Sequence, residues 1–216
     1  MSGQRSAPSL LVRGMQAVIG GILLVGLYGG DPRVAVNAAL ALLGTAIPTV
    51  LNRDFRVRLG PGATLWITGS VCLHVIGMVW AYETVYWWDH LTHFVSAALI
   101  AAVAYASVTA IDRHINALYL PPRFLAILLG LLTVGLGVVW EVLEFVGRII
   151  AVELGTDPLL VQYGLEDTML DLAVDAVGGL LIGIVGPRRL GGAVATVEDR
   201  LFPDGSGQTE EGPPHR

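Results

Sequence analysis

Apolar residues gather into six runs, each near the ~20 residues that cross a bilayer as a helix. Span one is read as Gly14–Gly29, longer if Leu10–Val12 join it. The others are Val34–Leu51, Ala63–Tyr82, Trp88–Ile111, Phe124–Ile150 and Asp167–Gly186. The polar breaks between them carry turn chemistry: Gly30-Asp31-Pro32-Arg33, the stretch 52–61, the short link Glu83 to Trp87, and a loop holding Pro121-Pro122. The longest break is Ala151–Glu166, with Gly155 and Pro158 as breakers, and Pro187 is expected to end span six. Pro48 lies near the end of span two, where a kink is tolerable.

The expected fold is all-α: a polytopic transmembrane helix bundle of about six spans. Residues 1–12 read as a short mobile lead, 13–190 as the membrane domain, and 191–216 as a disordered, acidic, Gly- and Pro-rich tail. No small-residue cleavage site follows the first run, so it reads as a retained span. The spans are rich in Gly, Ala and Val, which favours close helix packing in lipid. No internal repeat stands out.

Composition agrees. Hydrophobic residues make up 54% of the chain and charged ones 14%, with mean hydropathy +0.66. Soluble domains carry ~25% charged residues. Cys72 is the single cysteine, so no internal disulfide can form. No basic patch exists to neutralise phosphates, which excludes nucleic acid as a partner. All 13 basic residues are arginine. They concentrate before span one, in the second and fourth loops and after span six, and are sparse in the alternate loops. The positive-inside rule then puts both termini in the cytoplasm of a multi-pass plasma-membrane protein. The lipid bilayer is the expected partner, and six small spans suit assembly as a homo-oligomer.

Against this background the ionisable residues stand out. Trp87-Trp88-Asp89-His90-Leu91-Thr92-His93-Phe94 opens span four, with two tryptophans suited to the membrane–water interface. Asp89 and His93 are four apart, and His90 and His93 three apart, so they share a helical face. Span five holds Glu141 and Glu144; span six holds Asp167, Asp171 and Asp175, each about 6 Å further along one face. The proposed topology brings all of them to similar depth in the outer half, with His74 of span three. An Asp at mid-bilayer costs roughly 2.5–3.5 kcal/mol, so these groups must face inward and neutralise one another, bind protons or bind a cation.

Imidazole and carboxylate without thiolate suit zinc, manganese or iron. The candidate ligands are His90, His93, Glu141 and Asp171, with Asp89 and Asp167 as weaker ones; Glu144 or Asp175 would be a general base or a supporting group. The pairs are His-x-x-His and Glu-x-x-Glu, neither the HExxH zinc motif nor the Glu-x-x-His of di-metal bundles. Each residue also has a plain structural reading. His74 suits a hydrogen-bonded packing histidine. Glu144 can pair with Arg148 one turn on. Asp167 and Asp89 can cap their helices. Trp80, Tyr82, Tyr86, Trp87 and Trp88 suit an interfacial aromatic belt.

The ordered set WWDHLTHF, Trp140–Phe145 (WEVLEF) and Glu166–Gly179 (EDTMLDLAVDAVGG) resembles the YjdF-like family of small bacterial and archaeal inner-membrane proteins. The similarity covers roughly spans three to six. It implies a membrane topology and a polar role for these residues, and no particular reaction. A fainter likeness, in His- and Asp-rich membrane segments only, is to membrane-bound metal-dependent hydrolases.

Three functions compete. The first is a metal-dependent membrane enzyme, hydrolase-like, acting on a lipid or envelope substrate; no Gly-x-Ser-x-Gly motif supports a serine mechanism. The second is a proton- or cation-coupled transporter, since chains of Asp, Glu and His relay protons in membranes. The inner halves, though, lack polar steps. The third is a structural protein whose polar cluster only fixes helix packing.

Overall fold

The computed structural model describes residues 7–54, 57, 59–114 and 120–202. Among the described residues there are helices and no strands, and six stretches are long and apolar enough to span a membrane. Helix α1 is Ala7–Gly29, so six residues of the expected lead are helical. Asp31 caps the next helix, its carboxylate accepting from the Val34 amide at 3.1 Å. Span two is two helices, α2 (Pro32–Gly44) and α3 (Ile47–Arg53). The break falls at Thr45-Ala46, just before Pro48, whose ring cannot continue the α2 ladder.

Span three comprises α4 (Pro61–Ile76), a π turn at Gly77–Ala81 and the short α5 (Tyr82–Thr84). Span four is α6 (Trp88–His114) and span five is α7 (Pro122–Leu154). With 33 residues, α7 is about 50 Å long. It stops at Gly155, whose φ of 65° is the left-handed conformation that glycine adopts without strain. The loop before span six is therefore shorter than expected. Span six is α8 (Leu165–Arg189), which contains Pro187 instead of ending before it. Residues 191–201, expected in a disordered tail, form α9 (Gly191–Leu201). Its Val194 is buried against α6, and Glu198 pairs with Arg113 at 3.2 Å. The remainder of the expected tail, from residue 203, and the lead before residue 7 lie outside the described residues, as do Arg56 and Arg58.

The bundle has two apolar centres. Ile19, Ala38, Ala41, Cys72 and Val75 join α1, α2 and α4. Alanines of α6, with Tyr105, Leu125, Leu129 and Ile182, join α6, α7, α8 and α9. Small residues let α8 lie close to both neighbours. A Cβ on Gly179 would strike the Thr133 hydroxyl and the Leu129 carbonyl of α7, and one on Gly183 would strike Ala126. On the α6 side, Gly178 lies against the Phe94 carbonyl and the Ala98 amide. This is the close approach of backbones that small residues allow in lipid. Two indoles tie α4 to α6: Trp66 Nε1 donates to the Val95 carbonyl at 3.2 Å, and Trp88 Nε1 to the Leu73 carbonyl at 3.0 Å. Trp88 is thus a tie between helices, while Trp80, Tyr86 and Trp87 are exposed as an aromatic belt requires.

Candidate metal centre

Thr168, Asp171 and Asp175 follow one another on α8 at spacings of three and four, and so share a face. That face meets α6 and α7, leaving Asp171 and Asp175 only 1% and 4% exposed. Helix α6 contributes His90 and His93, both half-buried; α7 contributes Glu141 and Glu144, both buried.

His90 Nδ1 is hydrogen-bonded to Asp171 Oδ1 at 2.8 Å. One turn along, His93 Nδ1 faces Asp175 Oδ1 at 3.4 Å, and His93 Nε2 faces Glu141 Oε1 at 3.9 Å. Asp175 therefore holds one ring nitrogen of His93 and leaves the other aimed at Glu141. A carboxylate behind a histidine in this way fixes tautomer and ring orientation for metal binding. Glu141 Oε2 accepts from the Thr168 hydroxyl at 2.6 Å. Its other oxygen, Oε1, is buried with no hydrogen-bond partner among the described residues, as is His90 Nε2. Leaving such an atom unsatisfied costs about 1–3 kcal/mol, more if charged.

His93, Glu141 and Asp171 can offer ligand atoms that all lie within 4.8 Å of one another, and so can His90, Asp167 and Asp171. Two ligands about 2.1 Å from one ion stand at most roughly 4.2 Å apart. The 3.9 Å between His93 and Glu141 is within that limit. Histidine nitrogen and carboxylate oxygen are donors for zinc, manganese or iron.

The remaining residues fall into place around this cluster. An added Cβ at Gly137 would collide with Asp175 Oδ2, so the glycine gives that carboxylate its seat against α7. The Thr133 hydroxyl donates to the Asp175 carbonyl at 2.8 Å. Glu144 does not pair with Arg148: its Oε1 accepts from Trp140 Nε1 at 2.9 Å, and the Arg148 guanidinium lies over the Phe145 ring. Asp167 does not cap α8, whose capping position is Gly164. It stands in the first turn, where the helix dipole favours a carboxylate. Asp89 is half-buried and lines a cavity. His74 is hydrogen-bonded on both sides, Nδ1 to the Tyr82 hydroxyl at 2.8 Å and Nε2 to Asn37 Oδ1 at 3.2 Å. Tyr82 is therefore a partner of His74, not part of an aromatic belt.

That cavity, of about 950 Å³, lies between α2, α4, α6 and α7. Asp89, His93, Glu144 and Asp175 reach it. The loop after α7 closes one end, held to α2 by Asn37 Nδ2 donating to the Leu159 carbonyl at 2.8 Å. Tyr163 of that loop also lines it; partial burial, reinforced by the Asp89 charge, pushes its hydroxyl up to about 12, so it stays a donor at neutral pH.

Four residues that matter to the site were not legible as such: Thr168, Trp140, Gly137 and Asn37. Thr168 had a signal, its three-residue spacing from Asp171. Trp140 had one too, four residues before Glu144. Gly137 and Asn37 act across helices, where sequence spacing is silent.

A family model described as predicted membrane protein (DUF2238) matches residues 10–191. The chain belongs to the DUF2238 family. The match takes in all six spans, and with them every residue of the polar cluster. A Thermotoga maritima protein, described as uncharacterized, is 33% identical over 143 residues, which is 63% of this chain and 67% of the relative. No solved structure matches the chain.

Proposed function

We propose that this DUF2238 protein is a metal-dependent hydrolase of the plasma membrane, with both termini cytoplasmic and its centre in the outer half of the bilayer. The observation that carries the reading is Glu141 Oε1, a carboxylate oxygen buried without a hydrogen-bond partner among the described residues and facing His93 Nε2. A divalent cation held by His93, Glu141 and Asp171 completes it. Asp175 orients His93, and His90 holds Asp171 through its 2.8 Å hydrogen bond. Such supporting carboxylates and histidines typically govern metal affinity by 10–100-fold. A bound cation supplies a water acidic enough to lose a proton near neutral pH. Glu144 lines the cavity beside this centre and is the base that takes that proton. The substrate is an ester or phosphoester whose oxygen reaches the centre from the cavity. The likeness of the three motifs to YjdF-like proteins is compatible with DUF2238 membership and forms part of this reading.

The test is hydrolysis by purified, metal-loaded protein of a p-nitrophenyl acyl ester and of a p-nitrophenyl alkyl phosphoester. Turnover of one of them, abolished by EDTA and restored by zinc or manganese, is expected. Glu144→Gln should lower turnover by about 10²–10⁴-fold, the usual range for a lost general base, with metal content unchanged. No turnover of either probe, or turnover untouched by EDTA, overturns the reading.

A further inference from the structure

The cavity has a direction. Its polar lining, Asn37 on α2, Asp89 and His93 on α6 and Glu144 on α7, forms a band next to the loop end, where Ile150, Leu154 and Leu159 also line it. Deeper in the bundle the same helices present Leu40, Ile100 and Leu136. From Asp89 to Ile100 is eleven residues, or roughly 16 Å of helix. That is about half of the ~30 Å hydrocarbon core, the thickness of one leaflet. Leu40, Ile100 and Leu136 are exposed as well as cavity-lining, so the apolar end opens sideways on the surface that faces the bilayer. A polar band with an apolar run of one leaflet's depth below it, and a side opening beside that run, suits the ester region and acyl chain of a membrane lipid. A volume of about 950 Å³ is at the upper end of the ~300–1,000 Å³ of ligand sites.

We propose that the cavity admits a bilayer glycerophospholipid sideways between α2 and α7, seating an acyl chain along Leu40, Ile100 and Leu136 with its ester and phosphate groups beside His93 and Glu144. The inference rests on the hydrolase reading for the role of that lipid, which makes it the substrate class; the binding itself stands on the cavity. Gly147 offers a way to fill the space. It lines the cavity, and a Cβ added there meets no atom within 4 Å. Gly147→Phe, one turn to the loop side of Glu144, should fill the headgroup end of the cavity and so exclude the lipid.

The experiment uses the full chain in phosphatidylcholine nanodiscs containing a trace of phosphatidylcholine with a diazirine on one acyl chain. After irradiation, labelled residues are mapped by mass spectrometry, and metal content is measured on the same samples. Labelling at Leu40, Ile100 and Leu136 is expected well above that at Leu24 and Ile184, which are exposed outside the cavity. In Gly147→Phe it should fall to the Leu24 level with metal content unchanged. Leu40→Trp, at the exposed mouth, should do the same and serves if Gly147→Phe does not fold. Cavity labelling no higher than at Leu24, or labelling untouched by both variants, overturns the proposal. Labelling as expected on a protein that binds no metal supports the lipid site and contradicts the hydrolase reading instead.

Discussion

Asp175 lies against α7 because residue 137 is glycine, and His93 keeps its orientation because Asp175 is there. Gly137→Ala should therefore act on a side chain it never replaces. Pushing Asp175 away frees the His93 ring, and metal affinity should fall about 10–100-fold, as for loss of a supporting carboxylate. Overpacking should also lower stability by about 1–3 kcal/mol. Gly135→Ala is the control, since a Cβ there meets nothing. It should raise stability by roughly 0.8–1 kcal/mol through helix propensity. A metal-competition titration and a thermal melt on both variants check the pair. At this scale the sequence exposed the acids, because carboxylates are rare within apolar spans. Their partners were harder. Glu144 has two neighbours one helical turn away, Trp140 and Arg148, and spacing could not choose between them. In the structure the indole takes the carboxylate, while Arg148 stacks on Phe145.

Helix α8 is the element on which the site depends. One face carries Thr168, Asp171 and Asp175; further along, Gly178, Gly179 and Gly183 bring it close to α6 and α7. The glycines hold the acids at hydrogen-bond range of histidines on another helix. Gly183→Leu should separate α8 from Ala126 and lower thermal stability by at least about 1–3 kcal/mol, measured as a shift in the melting transition. A melt unchanged by that substitution would contradict the close packing described here. The six spans were legible from apolar run length, since the bilayer sets it. The ends were not. Gly164 takes the capping position that Asp167 seemed suited for, and its φ of 121° is one that aspartate rarely adopts. The start of the expected tail reads as polar and glycine-rich by composition, yet Val194 and Glu198 dock α9 onto α6. A few well-spaced contacts outweighed the composition of the segment.

As a whole, the molecule places a polar centre beside a cavity whose lining includes exposed leucines and isoleucines. The helical membrane architecture follows from hydropathy alone; the cavity does not, because it depends on how α2 and α7 stand apart around it. What the molecule does turns on whether a cation completes Glu141. The most direct measurement is elemental analysis of protein purified without chelator, beside the His93→Ala, Asp171→Ala double variant. Near-stoichiometric zinc, manganese or iron is expected in the wild type and none in the variant, with both helical by circular dichroism. Metal absent from the wild type, or equally present in the folded variant, would contradict the account and leave the cluster as a proton relay or a packing device.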